Sequence, residues 1–292
     1  MTEVACLINT RDRPTEVALL LQSLRTQEYK DFDIYILDDC GGTPLPTYHF
    51  FNCMITRLKL EGFKVFLDRT QFNHGVSKAR QKIVDWAMKR EYKYFVRVDD
   101  DVILEPDYIS RLLSCLEKGY DLASGVTIPM TGPTLKRNPK FLKRIINRVI
   151  LDKEGNYILN GDDCGVGYTE SVILPAHHFR SCALYKTEIH KKGINYIPTP
   201  LTNHGFREEQ IFSYRLQLAG YKIGIDTGAI NYHQLTPSGG ERFPDQNDKV
   251  KKNQEAFERW TKEAVDELRE LFPDEPMPSK EELMKETNLI MK

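Results

Sequence analysis

Several absences narrow the chemistry of this 292-residue sequence. It contains neither GxGxxG nor GxxxxGK[ST], so it carries the fingerprint of neither a dinucleotide-binding fold nor a P-loop ATPase. No CxxC pair occurs, and Cys6, Cys40, Cys53, Cys115, Cys164 and Cys182 show no metal-like spacing. A chain this long needs no disulfide staples, so reduced thiols are expected. No apolar run approaches the roughly 20 residues that span a bilayer. No basic, cleavable leader precedes the first strand pattern, so the expected compartment is cytoplasmic. Charge of one sign is missing too: 41 basic residues against 42 acidic leave a formal charge of −1. Nothing global therefore points to nucleic acid or an anionic membrane. There is no internal repeat or low-complexity tract. The composition, 40% hydrophobic and 28% charged, is that of a globular protein with ample core, as one large domain or two small ones.

What is present centres on Tyr94 to Pro106. An apolar run, Tyr94-Phe95-Val96-Arg97-Val98, ends in Asp99-Asp100-Asp101, and Pro106 opens a helical pattern. Three adjacent carboxylates must reach water or a cation where the strand ends. Strand alternation would aim Asp99 and Asp101 one way and Asp100 the other. Such a hard-oxygen pair suits Mg2+ or Mn2+ bridging to phosphates better than zinc. The competing reading is a solvated acidic turn before a helix.

The chain before this point alternates strands and helices. Val4 to Asn9 reads as a buried strand, followed by the loop Thr10 to Arg13 and a helix opened by Pro14 and carrying Leu20, Leu21 and Leu24. Asp33 to Leu37 and Lys64 to Leu67 are further strands, the first ending in Asp38-Asp39. Ser77 is the expected N-cap of a helix carrying Ala79, Ile83, Val84 and Ala87. This βαβαβαβ order predicts a mostly parallel sheet with helices on both faces, and ligands in such sheets bind beyond the carboxyl ends of the strands. Thr10, Arg11, Asp38, Asp39 and the three aspartates all fall there.

After a helix to Leu116 and a strand over Leu122 to Ile128, residues 129–176 lose regular patterning and read as an insert bordering the cleft. Glu208-Glu209 opens a helix ended by Gly220, and Ile223 to Tyr232 is a last strand, ending at His233. Residues 255–272 read as an amphipathic helix packed on the domain. Ser279 and Glu282 form a capping box for a short final helix. The expected organisation is a domain over 1–250, with a nucleotide-binding half (1–128) and an acceptor-side half (129–250), and a C-terminal helical extension over 251–292.

An acidic site, a glycine turn and a second carboxylate pair together suit group transfer from a phosphorylated donor. A metal on Asp101, with Asp99 nearby, would neutralise a leaving diphosphate. Glu209 is the candidate base for an attacking hydroxyl; otherwise it is an exposed residue in a helix's first turn.

These residues resemble a family 2-type glycosyltransferase with the GT-A (nucleotide-diphospho-sugar transferase) fold. The resemblance covers roughly residues 3–128 and 177–233. It rests on Asn9-Thr10-Arg11, Ser23-Leu24 with Gln27, Asp38-Asp39-Cys40-Gly41, Asn73-x-Gly75 with Ala79-Arg80, Asp99-Asp100-Asp101 with Pro106, and Glu208-Glu209 with Arg215 and Ala219-Gly220-Tyr221. Cys40 and Gly41 depart from the family's usual Gly-Ser, and Glu209 stands where an aspartate is usual.

The resemblance implies a mostly parallel central sheet flanked by helices, and transfer of a hexosyl or N-acetylhexosaminyl group from a nucleotide-sugar, UDP-sugar favoured, to a glycan or other hydroxyl acceptor by inverting single displacement. It implies that Thr10, Arg11 and Asp39 hold base and ribose and that Arg80 approaches the diphosphate. Asp99 and Asp100 would address the donor, and Asp101, Asp99 and His233 would lie at Mn2+ or Mg2+. The acceptor would sit against 129–180 and a loop over 234–247. A nucleotidyltransferase is one rival, although Thr10 to Arg13 lacks a glycine-rich phosphate loop. A catalytically silent sugar-nucleotide or glycan-binding protein is another.

Overall fold

Parallel pairing begins with the first strand, because β1 (Val4–Thr10), β2 (Phe32–Asp38), β3 (Val65–Arg69) and β4 (Tyr94–Asp99) are apolar runs too short to bury both faces unless helices cover them. The covering helices are α1 (Pro14–Arg25), α2 (His49–Leu60) and α3 (Val76–Ala87), with a short 3-10 turn at Leu45–Thr47. A computed structural model describes residues 2–130, 149–151, 157–159, 171–176, 178–196 and 208–236. The expected C-terminal extension, most of the 129–176 insert and the 234–247 loop beyond residue 236 lie outside the described residues.

The second half comprises β5 (Val102–Leu104), α4 (Tyr108–Glu117), β6 (Leu122–Pro129), β7 (Val149–Leu151), β8 (Tyr157–Leu159), β9 (Ile173–Ala176), β10 (Ala183–Lys186), α5 (Glu188–Lys191), α6 (Glu208–Leu218) and β11 (Ile223–His233). The main sheet runs β3-β2-β1-β4-β10-β6-β11-β5, with β9 also on β11; β7 and β8 pair separately. The first four strands are parallel, as is β6 with β11, while β10 is antiparallel to both its neighbours. The outer edge of β11 is shared, β9 taking its start and β5 its end, both antiparallel.

Pleat alternation sorts β4 between two cores. Val96 and Val98 join Leu20, Phe51 and Leu112 from α1, α2 and α4. Phe95 joins Ile83, Ile189 and Phe212 from α3, α5 and α6. Arg97 and Asp99 therefore fall on the α3–α6 face. Gln27, fully buried, ties α1 to the start of α4. Its amide donates to the Glu105 carbonyl (2.8 Å) and its oxygen accepts the Ile109 N–H (3.1 Å). That contact gives the Gln27 position a structural reason, and the Glu28 N–H on the Pro106 carbonyl (2.7 Å) adds to the same junction. Helix α3 begins one residue before Ser77: Gly75, at φ 77°, takes the N-cap position and Ser77 is buried inside the helix. A left-handed backbone there favours glycine over serine.

No helix among the described residues is long and apolar enough to cross a membrane. The five described cysteines are free thiols.

Candidate active site

The loops beyond the strand ends are held by carboxylates and by unusual backbone. Asp12, Cys40, Ser181 and Leu235 all have φ between 48° and 61°, each in a loop next to a sheet strand. Non-glycine residues in that region cluster where structure is held for function. Asp12 accepts the Gly42 N–H (2.6 Å) and so ties the β1 loop to the β2 loop. Cys40 occupies the place where the resembled motif has glycine, and φ 48° explains why glycine is usual there.

Asp39 is buried, and its N–H donates to the Thr10 carbonyl (2.8 Å). Its carboxylate accepts the Thr70 hydroxyl (3.0 Å) and the N–H groups of His74 and Gly75 (3.1 Å each), with His74 Nδ1 at 3.2 Å. Asp39 thus clamps the Asn73–Gly75 loop, and a nucleotide base would meet it already engaged. Asp38 is paired with Arg69 (2.5 Å). Arg11, partly exposed, lies 3.9 Å from Asp12.

The three aspartates divide differently from the strand expectation. Asp99 faces the α3–α6 side, whereas Asp100 and Asp101 together meet Arg13, whose Nη1 is 2.7 Å from Asp100 Oδ1 and 3.0 Å from Asp101 Oδ2. Strand β4 stops at Asp99 and a turn follows, so the two-residue alternation no longer governs Asp101. Burial, with the Asp101 charge adding to it against Arg13, pushes the Asp100 carboxyl up to about 6.

On the other face, Asp99 Oδ1 accepts from Arg80 (2.8 Å) and Arg97 (2.7 Å). Arg80 also pairs with Glu208 and lies 3.6 Å from Glu209. Its guanidinium, expected at a donor diphosphate, is committed here to carboxylates. Arg97 Nη2 also donates to Glu209 Oε1 (2.7 Å). Burial raises the Glu209 carboxyl above its ordinary value despite the opposing Arg97 charge. Burial works against the charged form of Arg97, yet Asp99 and Glu209 more than reverse it and hold the guanidinium protonated. Arg97 Nε and Nη1 are buried without a hydrogen-bond partner among the described residues, at a cost of about 1–3 kcal/mol each.

Of the expected metal residues, Asp101 and His233 come together and Asp99 does not join them. His233 ends β11 in register with Val102, and its Nε2 is 3.5 Å from Asp101 Oδ1. The Leu235 N–H donates to His233 Nδ1 (3.0 Å), which leaves the neutral ring's proton on Nε2. Ligation through Nε2 would require moving that proton and releasing Leu235; Asp101, buried with Oδ2 on Arg13, would present Oδ1. Among the described residues no three His, Cys, Asp or Glu side chains converge as a preformed metal site would. The donor set does suit a hard cation that takes one or two protein ligands and completes its shell with phosphate and water. The charge balance favours one as well. Among the described residues, Asp99, Asp100, Asp101, Glu208 and Glu209 pair with Arg13, Arg80 and Arg97, and Asp101 also meets His233. With Arg180 in electrostatic reach of Glu209 the ionised cluster is still negative.

The sequence reading omitted Arg13 and Arg97. Arg97 had a signal: a charge inside an apolar strand, one pleat before Asp99 on the same face, must find a buried partner. Arg13 had none, because its partners depend on how the turn after β4 folds.

The model of the family described as Glycosyl transferase family 2 matches residues 6–174. That match stops before β10, α6 and β11, so Glu209 and His233 lie beyond it. No curated protein matches the chain. Among solved structures, S. aureus TarS 1-349 in complex with UDP-GlcNAc is 11% identical with a TM-score of 0.60, over 99% of this chain and 72% of that one. GalNAc-T7 with UDP, GalNAc and Mn2+ is 14% identical with a TM-score of 0.65, over 99% of this chain and 55% of that one. Against S. aureus TarS without the 1-349 limit, this chain spans 43% of the partner's length at 12% identity and a TM-score of 0.59. At these identities the likeness establishes the fold, that of GT-A glycosyltransferases.

Proposed function

The chain belongs to glycosyl transferase family 2, and on that premise we propose that it transfers a sugar from a UDP-sugar to an acceptor hydroxyl with inversion, in a metal-dependent reaction. The observation that carries this reading is the ion-pair cluster joining Asp99, at the end of β4, to Glu209, at the start of α6, through one arginine. It sets a candidate base beside the acidic strand end where a donor diphosphate would lie. The UDP complex of TarS and the Mn2+ and UDP complex of GalNAc-T7 support the choice of donor and of cation.

Glu209 takes the proton of the acceptor hydroxyl as its oxygen forms the bond to the anomeric carbon, and the bond from that carbon to the diphosphate oxygen breaks. Desolvation favours this base by raising its proton affinity, and water can take the acceptor's place at its partly exposed carboxylate. Asp101, with His233 beside it, would hold a divalent cation, which supplies neutralisation of the leaving diphosphate's charge. Thr10, Arg11 and the Asp39-clamped loop would hold base and ribose, with residues 1–128 as the donor half and 129–250 as the acceptor half. Asp100, paired with Arg13, would fix the turn that presents Asp101.

A thermal-shift panel of UDP, GDP, CDP and dTDP sugars, with Mn2+ and with EDTA, tests the reading. A ligand of the folded state at 100 times its Kd adds about 2.7 kcal/mol, a readily seen shift. Stabilisation by UDP-sugars only with Mn2+ is the expected result; no shift with any of the sugars, or an equal shift in EDTA, contradicts it.

A further inference from the structure

We infer that Arg97 is a positioning residue for the transfer reaction, holding the Glu209 carboxylate in register with Asp99 and turning its second oxygen toward the acceptor. The inference rests on the reading of Glu209 as the base. Arg97 is 3% exposed, and its Cα is fixed from both sides, opposite Leu7 of β1 and Ala183 of β10. One nitrogen, Nη2, lies 2.7 Å from Asp99 Oδ1 and 2.7 Å from Glu209 Oε1, joining residues 112 positions apart in the case of Arg97 and Glu209. Every ion-pair contact of Glu209 among the described residues falls on Oε1, from Arg97 and from Arg80 at 3.6 Å. Arg180 adds a longer-range attraction, and Oε2 is the oxygen this arrangement offers to the proton of the acceptor hydroxyl.

The plane of the guanidinium is set as well. Arg97 lies over the Phe179 ring (5.4 Å to its centre), and that ring meets Phe212 of α6 edge-on (6.5 Å, 89°). The helix that begins with Glu208 is thus packed against the same arginine that grips its second residue. Packing alone gives no reason for arginine here. Its neighbours in β4 are Phe95, Val96 and Val98, and a methionine would leave no buried N–H without an acceptor. Arg80 already pairs with Asp99 and Glu208. What Arg97 adds is a fixed fork between the strand end and the base, which a lysine's single ammonium reproduces only in part.

The test uses the full chain with Mn2+ and measures UDP release from UDP-glucose, UDP-galactose, UDP-GlcNAc and UDP-GalNAc for the wild type, R97M, R97K and E209Q. On the sugar nucleotide the wild type turns over fastest, R97M is expected to lose about 100-fold in kcat with the donor KM within threefold, the scale of a base displaced by an ångström. R97K is expected to recover about tenfold of that loss. R97M with kcat within threefold of wild type, or with its loss confined to KM, overturns the inference. Should R97M not fold, R97K decides: about tenfold below wild type at unchanged KM supports the role, and full activity overturns it. The two failures separate cleanly. An active E209Q, or a wild type that releases UDP from none of the four, removes the reading of Glu209, whereas an inactive E209Q beside an active R97M removes only Arg97.

Discussion

Glu209 stands two residues into a helix, where exposure and the positive end of the backbone dipole would ordinarily favour its charged form. Burial outweighs them and raises its pKa. Because a base works deprotonated, turnover should fall on acidification with a midpoint above the usual carboxylate range. A pH profile of kcat checks this, and an acid limb at ordinary carboxylate pH would count against it. Glu209→Gln should lower kcat by about 100-fold or more while leaving UDP binding unchanged. Cys40 shows a different residue-scale effect. Its left-handed backbone and the thiol's contact with the Gln71 carbonyl (3.3 Å) oppose one another. Cys40→Gly should raise stability by about 1 kcal/mol in urea titrations, since the strain exceeds a weak thiol hydrogen bond; a loss of similar size would show that the contact dominates. The departure from the family motif was visible in the sequence, but its physical meaning needed φ.

Elements built from local pattern were legible. The strands at Val4, Phe32, Val65 and Tyr94 and the helices at Pro14 and Val76 lie where apolar spacing put them. Elements that exist only through distant partners were not. β5, β9 and β10 are three or four residues long and acquire strand geometry by pairing with β11, β4 or β6. The α2 helix, His49–Leu60, was also unread: only Phe51 and Leu58 of its residues are fully buried, too sparse a stripe to stand out. The split of the aspartates failed for a related reason: alternation was carried two residues past the strand's end. Between β6 and β11 the backbones approach so closely that side-chain volume matters. A Cβ on Gly125 would lie 2.0 Å from the Ala229 carbonyl oxygen and 2.7 Å from the Tyr108 ring, beside the register shift between Ile225 and Ile230. Gly125→Ala should therefore cost at least about 2 kcal/mol in urea unfolding. A cost under about 0.5 kcal/mol, typical of surface changes, would mean that β11 adapts freely.

At the scale of the whole molecule, two buried charge arrangements tie stability and function to pH and to cations. His190 is packed on Phe212 and Tyr196, and burial lowers its pKa to about 4. The native state therefore keeps it neutral while the unfolded chain protonates near 6.5. Its contribution is complete above about pH 6.5 and is lost as pH falls toward 4, at about 1.4 kcal/mol per pH unit. His190→Gln should flatten the urea midpoint across that window; an unchanged slope would assign the acid sensitivity elsewhere.

The active-site cluster carries the larger claim, that its excess of carboxylates takes up a divalent cation together with a nucleotide diphosphate at Asp101. Calorimetric titration of UDP into wild type and Asp101→Ala, each with Mn2+ and with EDTA, tests it most directly. The account predicts that Mn2+ tightens UDP binding to the wild type at least tenfold and leaves the variant unaffected. Equal tightening in both proteins would contradict it.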